Sequence, residues 1–226
     1  MNAAKLTSKL GYVFLDKALA ERALTHRSAG PCHYERLEFL GDGLLNFVIG
    51  QALYQTCPDA AEGDLTRLRA SLVREETLAA VASEIGLGEA ITFGSGELKS
   101  GAYRRRSILA DAVEALLGAV LVDGGFEAAR DACLRLWASR LENLPDPQSL
   151  KDPKTCLQEL MQGASRPRPE YEVLEISGPA HRQNFRVACR LPDEDLSAEA
   201  TGGSRRGAEQ QAARVMLALV EGRRDA

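Results

Sequence analysis

Residues 35–45 constrain the fold of this chain more than any other stretch. They read Glu35-Arg36-Leu37-Glu38-Phe39-Leu40-Gly41-Asp42-Gly43-Leu44-Leu45. At a helical step of about 100° per residue, Glu35, Glu38 and Asp42 fall within an arc of roughly 60°, and Leu37, Leu40, Leu44 and Val48 gather on the opposite side. A solvated helix face normally mixes its charges, because carboxylates three or four residues apart repel. Here only Arg36 interrupts the stripe, and it points elsewhere. Two readings are open on this stretch alone: a bland acidic surface, or a stripe that awaits a cation. Hard divalent cations prefer oxygen ligands.

A second stretch repeats the design. In Ser107-Ile108-Leu109-Ala110-Asp111-Ala112-Val113-Glu114-Ala115-Leu116-Leu117, Asp111 and Glu114 are neighbours one turn apart, beside the small Gly118. Leu109, Val113, Leu116 and Val120 occupy the far side. Two helices of this kind, each apolar on one side and doubly acidic on the other, can pack so that four carboxylates converge on a metal. Magnesium needs few protein carboxylates and completes its shell with water and substrate phosphate.

Glu35 to Leu45 closely resembles the signature of ribonuclease III, the double-strand-specific RNA endonuclease, in its bacterial form. Leu24-Thr25-His26-Arg27-Ser28 resembles the helix that precedes the signature. The resemblance continues through Glu62-Gly63-Asp64-Leu65-Thr66-Arg67-Leu68-Arg69 and Gly96-Glu97-Leu98-Lys99-Ser100-Gly101. From Asp152 onward it passes into that family's RNA-binding domain. One departure lies inside the signature, where Gly43 stands in place of the usual serine or alanine. It costs up to about 1 kcal/mol of helix propensity and removes no ligand.

At 226 residues, the chain suits one domain plus a small second one. It is 45% apolar and 27% charged, which is globular rather than disordered. With no secretory pattern and no apolar run long enough to span a bilayer, the expected location is cytoplasmic. Five cysteines, at 32, 57, 133, 156 and 189, are scattered and lack Cys-x-x-Cys spacing, against a disulfide framework or zinc site. The net charge is −4, whereas nucleic-acid binders usually carry a basic footprint. Residues 1–150 hold 16 Lys+Arg against 20 Asp+Glu, and residues 151–226 hold 12 of each. Any RNA contact therefore has to come from local clustering.

The expected organisation is an all-α nuclease domain over residues 1–142, a linker at 143–151, and a small α-β-β-β-α double-stranded RNA-binding domain over 152–226. Residues 6–28 read as two short helices broken at Gly11, with His26 ending the second in a structural role. The first acidic helix is expected to run to about Tyr54. Asp64 is placed to cap a helix starting at Leu65, residues 75–87 form another helix, and 94–101 form a flexible segment. Arg104-Arg105-Arg106 follows, either merely solvated or facing a phosphate backbone. Residues 126–142 form the last helix of the domain. Asn143 to Lys151 contains two prolines and no periodicity, as a linker would. Beyond it, Asp152-Pro153 starts a helix, strands are expected at 170–176, 184–191 and 196–201, and Gly202-Gly203-Ser204 opens a final helix.

Metal ions held by carboxylates can hydrolyse a phosphodiester without a protein nucleophile, and neither a serine elbow, a Cys-His signature nor a phosphate-cradling glycine loop is present. The resemblance implies magnesium, with manganese able to replace it, held by catalytic Glu38, Asp42, Asp111 and Glu114. Glu35 and Glu62 would form an auxiliary acidic pair. No small-molecule cofactor and no membrane partner is implied. Duplex RNA is read by shape and 2′-hydroxyls across the minor groove. Gln158 and Gln162 on one helix face, and His181 in the Gly178-Pro179-Ala180-His181 loop, suit those contacts. Arg205 and Arg206 suit phosphates at a helix start. Phe39 projects about 40° from Glu35 on the acidic side, which fits either an interface or a core role; the resemblance implies a homodimer centred on it. Two other functions compete. In a non-catalytic double-stranded RNA-binding dimer the acids would be free to vary, yet all four are present. A helical nucleotide pyrophosphatase would leave residues 152–221 unexplained.

Overall fold

The computed structural model describes residues 3–224. They form two compact units that divide between Leu150 and Lys151. The first holds helices α1 (Ala3–Leu10), α2 (Lys17–Ala23), α3 (Glu35–Thr56), α4 (Glu62–Val73), α5 (Glu75–Ile85), α6 (Ser95–Lys99) and α7 (Arg106–Glu142). The second runs α8 (Pro153–Gly163), β1 (Glu170–Ser177), β2 (Asn184–Leu191), β3 (Leu196–Gly202) and α9 (Arg205–Arg224). This is the helical domain and the α-β-β-β-α domain expected. Among the described residues no helix is long and apolar enough to cross a membrane, and the five cysteines are free.

The first unit is built around the pair α3 and α7. The N-terminal half of α7 is apolar nearly all round, with Leu109, Val113, Leu116, Leu117 and Val120 all buried, as a helix enclosed by others must be. Leu37, Leu44, Leu45, Val48 and Ile49 of α3 join that core. Trp137 is fully buried, and its indole N–H donates to the Leu72 carbonyl at 2.9 Å, so its one polar atom is satisfied. Asp123 on α7 accepts from the Tyr12 hydroxyl at 2.9 Å and from the Leu15 and Asp16 amides at 2.7 and 3.0 Å. Those bonds tie the loop between α1 and α2 to the central helix.

Several local expectations change. Residues 106–124 and 126–142 form one continuous run broken only at Gly125, whose φ of +79° suits glycine. The α4 helix begins at Glu62, not Leu65, so Asp64 lies inside its first turn, where it pairs with Arg67 and caps nothing. α2 ends at Ala23, so His26 follows the helix; its Nδ1 caps a short 3₁₀ turn at 27–29 through the Ser28 amide. Burial lowers its pKa, its ring packs against Tyr34 and Phe93, and it also lines the cleft described below. The segment at 94–101 contains α6. In the stretch read as a linker, Pro147–Leu150 is a 3₁₀ turn, and Leu144 and Leu150 pack on the first core. Its freely extensible part is accordingly shorter than nine residues.

In the second unit, the Asp152 side chain accepts from the Thr155 amide at 3.1 Å and Pro153 fills the first turn of α8. The sheet is antiparallel in the order β1-β2-β3. Tyr171 lies opposite Cys189, and Cys189 opposite Ala198. Cys189, Leu191 and Ala198 close on Leu157, Met161, Ala212 and Met216 of the two helices. On the other face, Arg190 pairs with Glu172 at 2.9 Å, and Arg186 sits between Glu175 and Glu199, cross-strand pairs of opposite charge.

Candidate active site and nucleic-acid interface

The geometry of the acid cluster begins with two glycines. A Cβ on Gly41 of α3 would lie 1.8 Å from the Glu114 carbonyl oxygen, and one on Gly118 of α7 would lie 2.1 Å from that of Leu37. The two backbones therefore touch where neither helix carries a side chain. One turn of α3 is laid against one turn of α7, and the acids beside the crossing are brought together. Carboxylate oxygens of Glu38, Asp111 and Glu114 lie within 4.8 Å of one another. Asp42 stands just outside that group, exposed, and accepts from the Asn46 amide at 2.8 Å. Its charge still acts on both Glu38 and Glu114. Gly43, by contrast, has open space around it.

Burial and mutual repulsion both disfavour ionisation here. Glu114 is pushed up to about 8, first by desolvation and then by Asp42, Asp111 and Glu38. Glu38 is raised to about 7 by desolvation and by Asp111, Glu35 and Asp42. Asp111 is raised mainly by burial, with Glu75 adding to it. Two arginines, Arg27 and Arg105, line the adjoining polar cleft of about 460 Å³, yet each is paired with an acid outside the cluster. Arg27 meets Glu35 at 3.4 Å, and Arg105 meets Glu97 at 3.1 Å. Arg27 favours ionisation of Glu38 and Asp111 but does not offset burial and repulsion, and the all-oxygen donor set of the three converging carboxylates fits a hard divalent cation.

Of the auxiliary acids, Glu35 lines this cleft, but Glu62 lines a separate groove between α3 and α4, beside Phe47 and Tyr54. The structure does not bring the two together within one chain. Phe39 is 83% exposed, which removes the core role. The arginine run splits three ways: Arg104 lies over the Tyr103 ring, Arg105 enters the cleft, and Arg106 reaches toward Glu76. Only the start of α7 decides which of the three turns inward, so composition alone does not single out Arg105. Glu97 and the buried Tyr34 also border the site without having been singled out in the sequence.

In the second unit, Gln162 and His181 are exposed and Gln158 is half-buried. Arg206 is exposed at the start of α9, while Arg205 donates to Glu209 at 2.9 Å. Glu209 also takes the ammonium of Lys154 at 2.6 Å.

Known proteins place both units in context. A ribonuclease-III-like family model matches residues 16–141, and a double-stranded RNA binding motif model matches residues 153–220. A protein named Ribonuclease 3 from Alkalilimnicola ehrlichii is 56% identical over 216 residues, which is 96% of this chain and 95% of that one. The Ribonuclease 3 of Vibrio cholerae is 52% identical over 213 residues, 94% of this chain and 95% of its own. Among solved structures, a nuclease domain of ribonuclease III from Campylobacter jejuni is 43% identical, with a TM-score of 0.59. It covers 61% of this chain and 97% of its own, and its description refers to a region involved in dimer formation. With the acid cluster in one unit and the RNA-binding fold in the other, the chain belongs to the ribonuclease III family, the endoribonucleases of double-stranded RNA.

Proposed function

We propose that the chain hydrolyses double-stranded RNA, including precursor ribosomal and other structured RNAs, in a magnesium-dependent reaction that leaves 5′-phosphate and 3′-hydroxyl ends. The observation that carries this reading is the convergence of Glu38, Asp111 and Glu114 within 4.8 Å, where neither cleft-lining arginine forms an ion pair with any of the three. Glu38, Asp111 and Glu114 would hold the magnesium ion, with Asp42 beside them oriented by Asn46. When bound, that ion supplies an activated water, neutralises the phosphate and stabilises the leaving oxygen. The chain's own contribution is positional. The glycine crossing fixes the acids, and Arg27 and Arg105 give the same cleft two cations in weak, exposed pairs that a phosphate can displace at little cost, since such pairs contribute about 0–1 kcal/mol.

Duplex binding falls to Gln158, Gln162 and His181 for the sugar edges and to Arg205 and Arg206 for phosphates. The exposed face of α3, with Phe39, Phe47 and Tyr54 aligned along it, is read as the interface of a symmetric homodimer, because apolar residues grouped in this way on a surface mark an association site. A gel assay with a structured RNA tests the catalytic reading: cleavage is expected with magnesium and none with a chelator. Magnesium-independent cleavage, or none at all, would remove it. Sedimentation that finds a monomer at micromolar concentration would remove the dimer.

A further inference from the structure

Lys154 belongs to neither group of RNA contacts described above, yet it lies between them. It sits one turn before Gln158 and two before Gln162 on α8; at four-residue spacing each step rotates by only about 40°, so the three form one stripe. Its ammonium is 2.6 Å from Glu209 and 4.2 Å from the centre of the Tyr171 ring. Glu209, 9% exposed on α9, uses its other carboxylate oxygen to accept from Arg205 Nε at 2.9 Å. Burial alone would raise the pKa of that carboxyl, but the hydrogen bonds from Lys154 and Arg205 outweigh it and hold the group below the usual carboxylate range. One buried acid is thus shared by cations from two helices. With Arg206 next to Arg205, three basic groups stand against Glu209 and the N-cap acid Asp152, which itself feels the charge of Arg206, and the edge keeps one net positive charge.

An ammonium has three donors and no acceptor. In Lys154 one donor is directed to Glu209, and the Tyr171 ring face receives the cation on another side. The side chain remains 34% exposed, and these two contacts leave a third N–H without a protein partner. We propose that Lys154 is a phosphate contact of the RNA-binding unit, bridging the α8 stripe and the α9 arginines, and that Glu209 is the positioning residue that fixes its ammonium there. The proposal rests on the reading of Gln158, Gln162, Arg205 and Arg206 as the RNA-facing side. The competing role for Lys154 is that of a structural bolt between α8 and α9.

The test measures affinity of the full chain for a short blunt RNA duplex from 0.1 to 1 M salt, with calcium in place of magnesium to prevent turnover. Lys154→Met keeps the stem over Tyr171 and removes the ammonium. It should lower the salt slope by about one unit, which amounts to roughly tenfold in affinity at 0.1 M salt. In the double variant Lys154→Met/Glu209→Gln no acid is left unpaired, and the slope should stay one unit below the wild type. Substituting Lys154 should also matter less once Glu209 is Gln, a non-additivity that reports positioning. An unchanged slope in Lys154→Met, or affinity restored in the double variant, overturns the phosphate contact. Strictly additive effects overturn the role given to Glu209. Arg206→Ala separates the proposal from the reading beneath it. If it lowers the slope and Lys154→Met does not, only the Lys154 contact is lost; if neither does, the RNA-facing side itself is misassigned.

Discussion

Glu114 in the nuclease unit and Glu209 in the RNA-binding unit are both withdrawn from water at the packing of two helices, and their carboxyls are driven in opposite directions. Glu114 faces Asp42, Asp111 and Glu38 and is pushed up to about 8. Glu209 faces Lys154 and Arg205 and is held below its ordinary value. A buried charge is tolerated when it is paired and is costly when it is not. The RNA-binding unit supplies the partner from its own chain and turns the remaining positive charge outward. The nuclease unit leaves its acids without one. The same residue type is charge-paired within its own unit in one case and left among like charges in the other.

Removing the charge from Glu114 is the most severe way to break this comparison. Glu114→Gln keeps the side chain's shape and leaves the glycine crossing untouched, but it deletes one of three converging carboxylates. On the proposed metal reading, cleavage at millimolar magnesium should fall by orders of magnitude, since the activated water and transition-state stabilisation would both be lost with the metal. Duplex binding measured in calcium should change little. Near-normal cleavage by this variant would discard the carboxylate site.

The next effect tests the support beneath the acids. Gly118→Ala places a methyl group 2.1 Å from the Leu37 carbonyl, a backbone atom that cannot swing aside. Overpacking of this kind costs about 1–3 kcal/mol or more, which exceeds the roughly 1 kcal/mol that alanine gains over glycine in a helix. The variant should unfold at a lower temperature and also lose cleavage, because the helices must separate and carry the acids apart. Trp137, the chain's single tryptophan, is buried in this core and reports the transition by fluorescence. A variant as stable as the wild type would show that the crossing is not the constraint described.

Much of the catalytic unit was legible because helical periodicity turns spacing into direction: Glu38, Asp111 and Glu114 converge as the two stripes require. What periodicity cannot supply is the distance between helices. That depends on Gly41 and Gly118, whose importance lies in the backbone opposite them and not in their own helix. The cap expected at Asp64 differs because the helix starts two residues earlier, at Glu62, which places Asp64 within the first turn beside Arg67. The second unit was legible almost to the residue, since alternation on β2 and the Asp152-Pro153 start are local signals. Its Lys154 and Glu209 pair was not, because the two residues are far apart in sequence and each is unremarkable in its own helix.

The smallest effect sharpens the comparison through pH. Glu38 and Glu114 have folded-state pKa values of about 7 and about 8, above the ordinary glutamate value of about 4.3. Between those limits the folded protein binds more protons than the unfolded one, so the stability of the metal-free nuclease unit should decline as pH rises from about 5 to 8 and level off above that. Glu114→Gln removes the larger part of this slope, and without metal at pH 8 it should be the more stable protein, by a few degrees if the difference is of order 1 kcal/mol. Magnesium should raise the wild-type transition at pH 8 through preferential binding to the folded state, and raise that of the variant less. Glu209 runs the other way. Its depressed pKa contributes stability at neutral pH that is lost as pH falls through its folded value, so Glu209→Gln should destabilise the RNA-binding unit at pH 7 and converge with the wild type in acid. If Glu114→Gln and Glu209→Gln move stability at pH 8 in the same direction, the contrast between an unpaired and a paired buried acid does not hold.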